Sequence, residues 1–376
     1  MRTKIFQITF AVVFMTLLIM PLAFVDLYGG KVSERENRVL TARPPISLAF
    51  EWPRGFIRQL DNWFSDNVGF REQMIGLYKM INQTETQGQY TNGQYIYLIG
   101  EEGHHFFADV DGDMIPKYQG KPILSGKQLS SLTNGLGSIK DYLDEKGIPL
   151  IVMFCVDKET IYPEFYPRTI RRGPEPIQLD IITEYIESHT DVNVFNIRAR
   201  LLREKGNYFL YNKSIGDLTH YNQTGAFFAY QELMKHINEY FPDIRAISLE
   251  DITITYDEND MAAVLMKRER TFEELEQSFF DTVNVNRPFT WENRAFVNTD
   301  LDFPTIFMLC DSYTGGGPFL ANYIPEHFSQ TILIHYQNME HFKEYIEAYN
   351  PDIVVFEAAE RQLLGFANVI MDFRLP

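Results

Sequence analysis

Ser312, His220 and Asp217 are the residues whose types and spacing could do chemistry. Ser312 follows Asp311 at the end of the apolar run Ile306–Cys310 and precedes Tyr313, Thr314 and three glycines, 315–317. A short apolar run of this kind reads as a strand buried in a parallel sheet, and glycines beyond it release the chain into a tight turn. Open α/β sheets place ligands outside the carboxyl ends of their strands, so a serine there stands where chemistry is done. Its hydroxyl is too weak an acid to attack a carbonyl unaided and needs a base. In the stretch YNKSIGDLTHYNQTGAFFAY, residues 211–230, Asp217 and His220 stand three apart. A helical or tight-turn conformation projects both to one side. A carboxylate beside an imidazole fixes its tautomer and stabilises the imidazolium that forms, so the three supply nucleophile, base and orienter. Singly, each has a plainer reading: Asp217 as a cap, His220 as a surface histidine, Ser312 as a helix N-cap. Their joint occurrence beside an Asp-Ser strand end favours the chemical reading.

Other residues could complete such a site. A tetrahedral oxyanion needs preorganised donors, and the backbone N–H groups of Ser312, Gly315, Gly316 and Gly317 are candidates, with a simple turn as the alternative. Tyr313 adjoins the serine and is a substrate-binding candidate. Lys158 closes the strand LIVMFC and reads as a surface lysine that could instead reach the site. Arg361 reads as a partner for the adjacent Glu360, with a sugar contact as the alternative. No metal or other cofactor is expected. In DVDGDM, residues 109–114, glycine falls at position four rather than six of a calcium loop. His104 and His105 are adjacent and would not share one face of a strand.

These residues need a scaffold, and the pattern supplies one. Residues 56–78 carry apolar side chains at helical spacing with a break at Asn67–Gly69, so two amphipathic helices are predicted. GQYIYLIGEEGHHFFADVDGDMI alternates between glycines and predicts a hairpin. From Leu129 onward helices and strands alternate. A helix ends at Gly147, a strand covers IPLIVMFC, a helix IQLDIITEYIESH, a strand VNVFNI, and a helix TGAFFAYQELMKHINEYF. About 247–298 reads as a β-rich insertion, after which TIFMLC, QTILIHY and DIVVFEAAE resume the strands. The expected fold is α/β, a mostly parallel sheet with helices on both faces. Cys155 and Cys310 each end an apolar run, which suggests neighbouring strands. Two buried free thiols are the expected state, with a disulfide as the alternative.

The chain has 376 residues, 45% of them hydrophobic, enough for a sizeable core. A net charge of −17 argues against a nucleic-acid surface, which needs clustered Lys and Arg. Aromatic residues make up 14%, which suits β-packing, sugar binding or an ordinary core. Arg2 and Lys4 precede an apolar run from Ile5 to Val25, long enough to cross a bilayer with the basic flank inside. An uncleaved anchor over 1–30 is expected rather than a signal peptide, since no small-residue cleavage site follows. The predicted order is an anchor at 1–30, a stalk at 31–55 and a globular domain at 56–376 outside the cytoplasmic membrane.

The Asp-Ser pair resembles the nucleophile block of SGNH hydrolases, and Asp217-Leu-Thr-His220 resembles their Asp-x-x-His block. Here Asp217 and His220 precede Ser312, a permuted order similar to that of the alginate O-acetylation proteins AlgJ and AlgX and related DHHW proteins. ENRVLTARPPIS, LDNWFSDNVGFREQMI, VDKETIYPEFYP and YNPDIVVFEAAERQLL are similar to further stretches of that group. Cys310 stands where glycine usually precedes Asp-Ser, and Tyr221 where tryptophan commonly follows the histidine. The resemblance implies an extracytoplasmic O-acetyltransferase acting through an acetyl-serine intermediate. A membrane-bound O-acyltransferase would be the acetyl donor and a cell-surface or secreted polysaccharide the acceptor. A carbohydrate esterase with the same three residues and a non-catalytic glycan-binding envelope protein are the alternatives.

Overall fold

A computed structural model of the chain describes residues 9–10, 14–16, 19–27, 29, 32–33, 38–51, 53–71, 73–74, 96–108, 114–256, 262–266, 273–274, 293–298, 302–315 and 319–373. The chain divides into two compact units, Met1–Tyr95 and Ile96–Pro376. In the first, Val32–Ser33 pairs antiparallel with Arg38–Val39, and helices cover Ser47–Glu51 and Pro53–Asn67. The longer helix starts on Pro53, whose missing N–H costs nothing at a first helical position. It ends where the sequence breaks at Asn67–Gly69, and the Asn67 side chain donates to the carbonyls of Trp63 and Thr41, both at 2.8 Å. The second helix predicted after it lies mainly outside the described residues. So does part of the N-terminal apolar run. Among the described residues no helix is long and apolar enough to cross a membrane.

The second unit opens with the predicted hairpin, β1 (Ile96–Ile99) and β2 (His105–Ala108). Helix α1 (Gly126–Asp144) begins with a capping box, in which Ser125 and Gln128 satisfy each other's backbone donors. There follow β3 (Leu150–Cys155), α2 (Gln178–His189), β4 (Asn193–Asn196) and α3 (Gln223–Ile237). Next come β5 (Ile252–Tyr256), β6 (Ala262–Met266), β7 (Glu273–Glu274), β8 (Arg294–Val297), β9 (Thr305–Cys310) and β10 (Gln330–His335). The chain closes with α4 (Phe342–Tyr349), β11 (Ile353–Ala359) and α5 (Leu363–Asp372).

Seven of these strands form one sheet in the order β4-β3-β11-β9-β10-β8-β7. The first five run parallel, and every residue of β3 and β11 is buried, which is why both read as unbroken apolar runs. Helix α1 packs on α2 and α5, while α3 packs on β3 and β6. The segment read as an insertion is only partly separate. Strands β5 and β6 form their own hairpin, but β8 pairs antiparallel with β10, from Arg294 opposite Leu333 to Val297 opposite Gln330, and β7 pairs with β8. They supply the backbone partners that the edge of β10 would otherwise lack. The two cysteines are buried free thiols, as expected, but not on neighbouring strands: β11 lies between β3 and β9.

Candidate active site

Ser312 begins a short helix, Ser312–Gly315, directly after β9, so the parallel sheet delivers it at a carboxyl-end edge. Asp311 shapes this turn. Its Oδ1 accepts from the Tyr313 N–H at 2.8 Å, its Oδ2 from the Ala359 N–H at 2.8 Å, and its carbonyl from the N–H groups of Thr314 and Gly315 at 3.2 Å. Every amide of the short helix is thereby committed except that of Ser312, which has no partner among the described residues. Gly315 is therefore not a free oxyanion donor, and neither is the Tyr313 amide. Gly316 and Gly317 lie outside the described residues. The Ser312 N–H is the donor left available.

His220, the candidate base, arrives on the loop that precedes α3. Gly216 turns with φ +80°, a conformation glycine adopts without strain. Asp217 then closes an Asx-type turn: its Oδ1 accepts from the N–H groups of Thr219 at 2.9 Å and His220 at 3.1 Å, and from the Thr219 hydroxyl at 2.7 Å. Asn222 caps α3 two residues after His220, with its side chain accepting from Thr224 and Gly225. Gly225 lets this loop approach, because a Cβ there would meet the Leu210 carbonyl at 2.5 Å and Tyr221 Cβ at 2.7 Å.

The three residues singled out in the sequence meet here. His220 Nδ1 lies 2.7 Å from Asp217 Oδ2, and His220 Nε2 lies 2.8 Å from Ser312 Oγ. With its Nδ1 proton directed to the carboxylate, the imidazole presents a lone pair at Nε2 to the serine hydroxyl. Burial opposes the charge on Asp217, but the hydrogen bond and charge of His220 and the donors of Thr219 outweigh it and hold the carboxyl well below the usual range. The imidazole ring is fixed by Tyr313, edge-on at 4.8 Å between centroids, and by Phe319 at 5.1 Å. The arrangement can carry a proton off Ser312 and return it to a leaving group.

Three other candidates occupy different places from those expected. Lys158 is 2% exposed, not a surface residue, and does not approach the serine. Its Nζ donates to the carbonyls of His105 and Asn212 at 2.6 Å and of Lys213 at 2.9 Å, tying β2 to the start of the Asp217 loop. Burial brings its pKa down to about 7. Tyr313 is fully buried beneath the site, its hydroxyl at 3.1 Å from Asp157 Oδ1 and 3.0 Å from the Thr219 carbonyl, where no substrate reaches it. Arg361 does not pair with Glu360. Its Nη1 donates to Asp157 at 2.6 Å, to the Thr219 carbonyl at 2.8 Å and to the Tyr313 hydroxyl at 2.9 Å. Glu360 instead accepts from Thr160 at 2.7 Å and from the Asp157 N–H, and burial brings its pKa up to about 7. Sequence reasoning passed over Asp157, although an acidic residue just past the strand LIVMFC was a visible signal. Among the described residues no cluster of His, Cys, Asp or Glu could hold a metal ion.

No protein-family model and no curated protein matches the sequence. Solved structures do. PatB1 of Bacillus cereus, solved with a sulfonyl adduct, is similar with a TM-score of 0.52 at 14% identity over 77% of this chain and 100% of that one. A second PatB1 structure gives 0.50 at 15% identity over 72% and 97%. A DHHW family protein from Eubacterium siraeum gives 0.49 at 13% over 77% and 98%, and the O-acetyltransferase domain of Pseudomonas putida AlgJ 0.42 at 13% over 74% and 99%. The likeness to PatB1 gives the α/β fold a counterpart among known structures.

Proposed function

We propose that this protein is an O-acyltransferase that carries an acetyl group on Ser312 and passes it to a hydroxyl of a polysaccharide. The observation that carries the reading is the continuous line Ser312 Oγ to His220 Nε2 at 2.8 Å and His220 Nδ1 to Asp217 at 2.7 Å. The permuted Asp-x-x-His and Asp-Ser motifs, which resemble those of the alginate O-acetylation proteins, support acetyl as the group and a polysaccharide as the acceptor. In the first half-reaction Ser312 Oγ attacks the acyl carbonyl of the donor and its proton passes to His220 Nε2. The oxyanion takes the Ser312 N–H, the leaving group takes the proton back from His220, and an ester on Ser312 remains. In the second, the acceptor hydroxyl gives its proton to His220 and attacks the ester. Ser312 leaves and recovers that proton. A membrane-bound O-acyltransferase as donor, and a location outside the cytoplasmic membrane on an N-terminal anchor, complete the proposal.

The test is incubation of the protein with 4-nitrophenyl acetate, acid quench and peptide mass spectrometry, with Ser312→Ala and His220→Ala alongside. An acetyl group on the Ser312 peptide, absent from both variants, is the expected result. Absence of both acetylation and ester turnover above the variants would remove the acyl-transfer reading. Turnover that added hydroxyl acceptors leave unchanged would make the protein an esterase.

A further inference from the structure

Glu357 sits in the middle of β11, a strand of otherwise apolar residues, and is fully buried. A carboxyl group in such a place costs several kcal/mol unless it is paired or protonated, so its retention needs a reason. No cation bonds it. Its Oε2 accepts from the Asp311 N–H at 3.1 Å and from the Thr314 hydroxyl at 2.9 Å. These two residues stand one before and two after Ser312, so a single oxygen spans the turn that carries the nucleophile. Among the described residues its Oε1 has no hydrogen-bond partner. Burial and the nearby Asp311 carboxylate push the Glu357 carboxyl well up, which favours its neutral form, with Oε2 as the accepting oxygen.

The rest of the turn shows what the span achieves. Asp311 commits the amides of Tyr313, Thr314 and Gly315, and Glu357 commits the amide of Asp311 and the Thr314 side chain. Among the described residues only the Ser312 amide of this turn remains uncommitted, beside the hydroxyl that meets His220 Nε2. We propose that Glu357 is a positioning residue that clamps the turn from below, so that the Ser312 hydroxyl and amide keep the alignment that acyl transfer requires. This inference rests on the acyl-transfer reading and adds a residue that touches no substrate.

The test uses the full-length protein and its single-turnover rate of Ser312 acetylation by 4-nitrophenyl acetate, with thermal melting to count folded molecules. Glu357→Met removes both oxygens at similar volume, while Glu357→Gln keeps an accepting oxygen in place without a titratable proton. The expected result is a fall of 30-fold or more in the acylation rate of folded Glu357→Met, with the ester concentration for half-maximal rate little changed. Glu357→Gln restores the rate to within threefold of wild type, with the same pH profile. If Glu357→Met does not fold, Thr314→Val removes one arm of the clamp, and a three- to tenfold loss is expected. Folded Glu357→Met, or in its place Thr314→Val, acylating at the wild-type rate would overturn the inference alone. A Glu357→Gln protein as slow as Glu357→Met would also overturn it, because the accepting oxygen would not be the active part. Wild-type protein that takes no acetyl group overturns this inference together with the reading it rests on.

Discussion

Replacing Arg361 with alanine tests whether His220 is held from behind. Its Nη1 makes three bonds, to Asp157, to the Thr219 carbonyl and to the Tyr313 hydroxyl, and the side chains of the Arg361–Asp157 pair are only 9% and 5% exposed. That burial decides which magnitude applies. An exposed ion pair is worth about 0–1 kcal/mol, whereas removing one partner of a buried pair leaves an uncompensated charge and costs about 3–5 kcal/mol. At about 2–4 °C per kcal/mol for a domain of this size, Arg361→Ala should melt roughly 6–20 °C lower. The second consequence is functional. Thr219 lies between Asp217 and His220, so losing the grip on its carbonyl lets the imidazole drift from Ser312. A displacement of about 1 Å is worth on the order of 100-fold in rate. The assay is urea unfolding together with single-turnover acetylation of Ser312, on Arg361→Ala, Asp157→Asn and the double variant. Asp157→Asn in the Arg361→Ala background should recover part of the stability, because the stranded charge is gone. A cost below about 1 kcal/mol for Arg361→Ala, or strict additivity in the cycle, would refute the buried-pair reasoning. Unchanged acylation in folded Arg361→Ala would refute the positioning role.

Two further outcomes follow from the same geometry. Asp217→Asn should lower the acylation rate by about 10³–10⁴-fold, the scale seen when the orienting carboxylate of a serine triad is lost, and a rate within tenfold of wild type would separate Asp217 from the chemistry. Because the folded carboxyl is held below its ordinary range, its stabilisation is present above about pH 4 and is lost as pH falls further, so the two proteins should converge in urea midpoint in acid. Lys158 acts in the same direction at higher pH: burial lowers its pKa to about 7, while the unfolded chain keeps that proton to about pH 10.4. The unfolded state then binds more protons, so wild type should gain about 3 kcal/mol on Lys158→Met between pH 7 and 9.5, and a flat difference would show the amine to be ordinary.

The core strands and the three residues that meet at the candidate site were legible because their signals are local. An unbroken apolar run marks a strand buried on both faces, Asp-Ser marks its end, and three residues of spacing join Asp217 to His220. What stayed hidden depends on which strands are neighbours. Cys155, the last residue of β3, lies opposite Ala359, the last of β11, and two residues past the end of each strand come Asp157 and Arg361. Their pairing across 204 residues is a consequence of that register, which no spacing along the chain reveals, and the adjacent Glu360 was the natural wrong partner. Lys158 was misplaced for the same reason, since β2 and the loop at 212–213 arrive from more than 50 residues away on either side to cover it. Glu357 was different. A charge inside IVVFEAA is a local anomaly, visible in the sequence, and a fully buried strand has no solvent face to receive it. An acidic residue in such a run must therefore be neutral or committed to donors of the neighbouring strand, and β9, the strand beside it, is the one that leads into Ser312.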